Sequence, residues 1–166
     1  METEKKLCVL VVVILFFSSL VSAGKVEGEL KVWHKVTLSF DGPQTSEQAT
    51  PNPFTGYRLD VTFTGPSGQT YVVPGYYAAN GDAANSSADT GNQWRAHLAP
   101  DENGKWQWKA SFRKGNMVAV DGDPQAGQPA GYMDGTKGSF EIQASDKTGR
   151  DFRGKGMLQY VGKHHL

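Results

Sequence analysis

"ELKVWHKVTLSF", residues Glu29 to Phe40, is the stretch whose pattern decides the fold class. Leu30, Val32, Val36, Leu38 and Phe40 recur at every second position with His34 in their row, while Lys31, Trp33, Lys35, Thr37 and Ser39 alternate with them. A period of two sends successive side chains to opposite faces of an extended chain, so the run reads as one long strand with a buried face. "YRLDVTFT" (Tyr57 to Thr64) repeats the pattern, with Tyr57, Leu59, Val61 and Phe63 inward. The turn "GPSG" (Gly65 to Gly68) then predicts a hairpin to "QTYVVPGYY". Pro74 has no N–H for a ladder, so that strand should end there or lie at an edge.

A second hairpin is expected from "QWRAHLAPDENGKWQWKASF" (Gln93 to Phe112), with the turn at Asp101 to Gly104. Trp94, Ala96 and Leu98 share one face of its first strand, and Trp106, Trp108, Ala110 and Phe112 one face of its second. "GSFEIQAS" supplies a last strand with Phe140 and Ile142 inward. Residues 41–54, 78–92 and 121–138 read as long loops, and neither an internal repeat nor an amphipathic helix is evident beyond the N-terminus. Short alternating strands joined by glycine-rich turns predict an all-β fold, an antiparallel β-sandwich of immunoglobulin-like kind without the antibody cysteine pair. A closed barrel is the lesser alternative.

The N-terminus has another character. Lys5 and Lys6 precede an unbroken apolar run, Leu7 to Phe17, and the small residues Val21-Ser22-Ala23 follow. This is the pattern of a cleaved signal helix, with cleavage expected after Ala23 and a secreted or periplasmic destination. The apolar run is shorter than the roughly 20 residues of a membrane span, so no membrane attachment is expected after cleavage. Cys8, the only cysteine, leaves with the signal. A hydrophobic core must then hold the domain, and at about 150 residues it is large enough to do so. Lys+Arg and Asp+Glu both number 17, a balance that gives no electrostatic reason to expect nucleic acid as a partner.

Chemistry-bearing residues are sparse. A glycosidase requires two facing carboxylates, about 5–5.5 Å apart for retention or roughly 6.5–9.5 Å for inversion. Here Asp41, Asp82, Asp101, Glu102, Asp121, Asp123 and Asp134 fall in turns, where carboxylates commonly cap the backbone, and Asp60 and Glu141 face outward. No catalytic residue, cofactor or metal site is assigned. His164 and His165 are adjacent rather than convergent, His34 and His97 lie on separate strands, and "NGDAANSSAD" lacks the spacing of an EF-hand loop. Aromatic residues remain. Tyr76, Tyr77 and Trp94 are candidates to stack on a sugar, although Trp94 shares its face with Leu98 and is expected in the core. Trp33, between Lys31 and Lys35, and the basic residues Arg150 and Arg153 are candidates for a domain interface.

Five blocks carry a resemblance: "VWHKVTLSFDGPQTSE", "NPFTGYRLDVTF", "TYVVPGYYAANGDAA", "GNQWRAHLAPDENGKWQWKASFRKG" and "SDKTGRDFRGKGMLQYVGKHHL". In this order, from about Val32 to Leu166, they resemble the family called domain of unknown function 5060, N-terminal β-sandwich modules of secreted bacterial proteins regarded as glycoside hydrolases. The resemblance implies that the segment like "GRDFRGKGMLQYVGKHHL" bridges into a catalytic (β/α)-barrel. It therefore implies residues 1–23 as signal peptide, 24–145 as sandwich, and 146–166 as linker and start of a missing catalytic domain. The expected role is a non-enzymatic accessory module whose partner is that barrel. A standalone carbohydrate-binding module, with polysaccharide as partner, is the alternative, and an independent small hydrolase is disfavoured by the absent carboxylate pair.

Overall fold

The structure, a computed structural model, describes residues 24–157 and Gly162. Residues 1–23, expected as a signal segment, the strand-like run beyond Met157 and His164-His165 lie outside the described residues. In chain order the elements are β1 (Lys25–Gly28), β2 (Val36–Ser46), β3 (Tyr57–Thr64), β4 (Thr70–Pro74), β5 (Tyr76–Tyr77), the short helix α1 (Ala83–Ser86), β6 (Thr90–Leu98), β7 (Gly104–Lys114), β8 (Gln128–Pro129) and β9 (Lys137–Ile142). They form two antiparallel sheets, β1-β2-β6-β5 and β4-β3-β7 with β8 and β9 along the far edge of β7. The expected all-β sandwich is what the chain builds. Among the described residues no helix is long and apolar enough to cross a membrane.

The alternating residues fill the space between the sheets. Leu38, Phe40, Trp94 and Ala96 from one sheet meet Leu59, Val61, Phe63, Trp106, Trp108, Ala110 and Phe112 from the other, all buried in one cluster. Aromatic pairs knit it together: Trp94 and Phe112 lie 4.8 Å apart edge to face, and Phe40 and Trp108 5.5 Å apart. The β3–β4 hairpin is as expected, with Thr64 opposite Thr70, and β4 ends at Pro74 on a sheet edge.

Three expectations are corrected. The strand read from Glu29 begins only at Val36, because Leu30 and Trp33 adopt left-handed backbone at φ 52° and 63° and turn the chain. It then runs on to Ser46, through residues expected to be loop, with its register against β6 interrupted between Asp41 and Thr45. Most consequentially, β6 and β7 are not a hairpin. The turn at Asp101 to Gly104 carries the chain across the sandwich, so β6 pairs with β2 and β5 while β7 pairs with β3, β8 and β9.

The chain also changes sheets between β4 and β5, at Gly75. A Cβ there would lie 2.4 Å from Leu59 Cδ2 and 2.9 Å from the Arg95 carbonyl oxygen, so the crossing has room for glycine alone. Gly75→Ala is expected to cost about 1–3 kcal/mol through overpacking. Gly122→Ala, which meets nothing within 4 Å, should stay within about 0.5 kcal/mol of the parent. Urea denaturation of both variants checks the pair, and equal midpoints would contradict this packing.

Candidate functional site

Two surfaces gather the residues singled out above. The first surrounds β5. Because side chains alternate along it, Tyr77 points inward and Tyr76 outward. Tyr77 is 6% exposed and its hydroxyl donates to the carbonyls of Thr45 (2.8 Å) and Gly91 (3.2 Å). Trp94, opposite Tyr77 in the sheet, is 2% exposed among Tyr57, Tyr77 and Phe112. Neither ring can offer a face to a sugar, because each is spent on the core. Of the three candidate platforms, Tyr76 is the one at the surface, 42% exposed.

Tyr76 is held in place rather than loose. Its hydroxyl lies 2.9 Å from His97 Nε2, and His97 Nδ1 lies 3.0 Å from the Thr37 hydroxyl, so a row of three polar groups runs across β5, β6 and β2. Burial, with Lys35 and Arg95 nearby, holds the His97 pKa below its ordinary value. The ring is thus neutral near pH 7, with one nitrogen donating and the other accepting. Beside Tyr76 opens a cleft of about 300 Å³ lined also by Glu47, Asp82 and Arg95. An aromatic ring, a guanidinium and two carboxylates around such a volume can hydrogen-bond a small polyhydroxylated ligand.

The carboxylates elsewhere do structural work. Asp101 accepts from the Tyr71 hydroxyl at 2.6 Å, Glu102 from the backbone and hydroxyl of Ser67, and Asp134 from the Phe112 N–H at 2.7 Å. Asp121 and Asp123 accept backbone N–H bonds within their own loop. Burial raises the pKa of Asp60, while Arg58 at 3.3 Å opposes that rise. The roles of Arg58 and Arg113 are not visible in the sequence. Arg58 donates to the carbonyls of Val118, Asp121, Asp123 and Pro124, and Arg113 to those of Gln125, Ala126 and Gly127. Both point outward from strands, as alternation implies, but only the fold brings that loop to them.

The second surface lies at one end of the sandwich, where the segment after β9 folds back over the β1–β2 turn. Trp33, expected on a strand's polar face, is half-buried in that turn. A Cβ on Gly156 would approach its indole nitrogen to 3.2 Å, so the tail covers the ring. Lys31 Nζ meets Asp146 at 2.6 Å, Lys147 meets the same carboxylate at 3.3 Å, and Arg153 reaches Glu29 at 3.4 Å and Asp151 at 2.7 Å. Arg153 is thus engaged within the chain although, like Arg150, it is exposed. Phe152 and Met157 stand out, 78% and 71% exposed.

The cations pull the tail carboxylates down. Hydrogen bonding to Lys31 lowers the pKa of Asp146 to about 2, and hydrogen bonding to Arg153 lowers that of Asp151 to about 2. A folded value below the unfolded one means the stabilisation is full above the ordinary 3.8 and is lost as pH falls toward 2. Amide resonances of residues 146–156 should therefore shift between about pH 4 and pH 2, while those of β2, β6 and β7 hold. Tail resonances that do not move over this range would contradict the docking.

With these surfaces defined, comparison with known proteins places the chain. The profile of the domain of unknown function DUF5060 matches residues 29–113. The chain belongs to that family. The DUF5060 match takes in the β1–β2 turn with Trp33, the Tyr76 cleft and the crossing from β6 to β7; Asp146 and Arg153 lie beyond it. A crystal structure of a candidate glycoside hydrolase from Bacteroides vulgatus is similar at 23% identity and TM-score 0.45, covering 70% of this chain and 16% of that one. The chain thus spans a small part of that protein's length. Among curated proteins, none matches.

Proposed function

We propose that this chain is the non-catalytic front module of an exported carbohydrate-active enzyme, a sandwich that presents a following catalytic barrel in a fixed orientation. Residues 1–23 would direct export, 24–145 form the module, and 146–166 lead into the barrel. The observation that carries this reading is the docked tail. Residues leaving β9 are pinned by Asp146, Lys147 and Arg153 to the turn that carries Glu29, Lys31 and Trp33. A linker built for free motion would not need these contacts, whereas a module that sets a partner's direction does. Phe152 and Met157, exposed beside this clasp, are the apolar side chains such a partner would cover. The DUF5060 membership supports the same role through the context that the family resemblance implies. Reading the nucleotide sequence past the codon for Leu166 tests it. A barrel-encoding frame, continuous or separated by one lesion, is expected, and unrelated sequence would overturn the reading.

The Tyr76 cleft favours a second reading, a module that binds a carbohydrate itself. An exposed tyrosine flanked by Arg95, Glu47 and Asp82 has the mixture of an apolar face and hydrogen-bonding groups that a sugar ring requires. On a glycan array a ligand would then emerge whose affinity falls about five- to tenfold in Tyr76→Ala, the loss of an aromatic contact worth about 1–1.5 kcal/mol. An array without ligands, or one indifferent to that substitution, would remove this reading and leave the first.

A further inference from the structure

We propose that Glu29, His34 and Asp146 form a binding site for a divalent transition-metal ion, with zinc as the natural occupant. His34 is the pivotal residue. Its ring is 2% exposed, and Nδ1 lies 2.9 Å from the Val32 carbonyl oxygen. A carbonyl can only accept, so Nδ1 is the nitrogen that carries a proton, and the lone pair that can meet a metal is on Nε2. That nitrogen is buried and has no hydrogen-bond partner. Its neighbour is Glu29 Oε2 at 3.5 Å, long for a hydrogen bond. The spacing is close to the edge of a tetrahedron with metal–ligand bonds of roughly 2.0–2.1 Å, which is about 3.3 Å.

Asp146 completes the set, since one ligand atom from each of the three residues lies within 4.8 Å of the others. Glu29 and His34 belong to the connection between β1 and β2, and Asp146 to the segment after β9. An Nδ1–H anchored on a backbone carbonyl with Nε2 left free is how metal-binding histidines are commonly oriented. Three protein ligands leave a fourth position for water, as in open zinc sites. A buried imidazole argues against calcium or magnesium, which prefer oxygen throughout.

Lys31 and Lys147 are the competitors. Their ammonium groups hold Asp146 at 2.6 and 3.3 Å and approach Glu29 to 3.9 and 3.8 Å. Both are long side chains with partly exposed heads, so each can withdraw from its carboxylate at modest cost once a doubly charged ion takes its place. Zinc would displace them and tie the tail directly to the β1–β2 turn. Removing Lys31 should therefore strengthen metal binding, although it weakens the ion-pair clasp.

Isothermal titration of the EDTA-treated, dialysed protein with zinc chloride tests the site. One zinc per chain is expected, with a rise in the thermal midpoint. Asp146→Asn should weaken binding at least about tenfold, His34→Gln should abolish it, and Lys31→Gln should tighten it. Asp146 is on the exposed tail, so that variant stays informative if His34→Gln does not fold. A His164→Gln, His165→Gln double variant separates the terminal pair and should bind as the parent does. No zinc binding, binding lost only in the double variant, or Asp146→Asn binding like the parent would each overturn the proposal.

Discussion

Three backbone hydrogen bonds close one end of the sandwich, and the surface on which the tail docks depends on them. Val32 N–H donates to the Gln143 carbonyl at 2.9 Å, Gln143 N–H returns to Leu30 at 2.9 Å, and Trp33 N–H donates to Pro100 at 2.7 Å. Val32 and Trp33 belong to the β1–β2 turn of one sheet, Gln143 to the end of β9 in the other, and Pro100 to the crossing between them. Two sheets packed only through side chains could slide. A turn bonded to both fixes their relation, and buried or half-buried N–H groups must be paired somewhere. Each such bond contributes about 1 kcal/mol net, but losing one leaves a donor stranded and costs more.

From this closure the rest follows in order. The left-handed residues Leu30 and Trp33 let the turn double back, which sets Leu30 and Val32 against the core and His34 beneath it. The same turn raises Glu29, Lys31 and Trp33 where the tail from β9 arrives. Charge complementarity then holds the tail, through the carboxylates of Glu29, Asp146 and Asp151 and the cations of Lys31, Lys147 and Arg153. On the outward face of the same sheet, Thr37, His97 and Tyr76 align across three strands because those strands share one register. The two surfaces are thus parts of one sheet, its end and its face.

Much of this is legible in the sequence, and alternation misleads where a buried side chain is carried by something other than a paired strand. The inward faces of β2, β3, β6, β7 and β9 were readable because alternation follows directly from strand geometry. Residues 30–34 were misread as strand because Leu30, Val32 and His34 also turn inward, by way of a turn; periodicity reports the side that is buried, not the backbone that buries it. The pairing of β6 with β7 was misread for a related reason. Trp94 and Ala96 face Trp106, Trp108 and Ala110 across the core, and two strands on opposite walls show the same alternation as two strands side by side. What distinguishes them is the route of residues 99–103, with Pro100 buried and Asp101 and Glu102 bonded to Tyr71 and Ser67 of the β3–β4 hairpin. Those are long-range contacts that no local motif announces. The same holds for Glu29, His34 and Asp146, which no spacing rule could have joined.

The end of the sandwich is closed because the β1–β2 segment is a turn bonded to both sheets and not the first half of a long strand. Hydrogen–deuterium exchange followed by NMR at single amides tests this most directly. The amides of Val32, Trp33 and Gln143 should exchange slowly, at rates comparable to those of Leu38 and Ala96 in the paired centre of β2 and β6. Rapid exchange at Val32 and Trp33, at the rate of an exposed loop such as that around Gly122, would show the end of the sandwich to be open and would contradict the account.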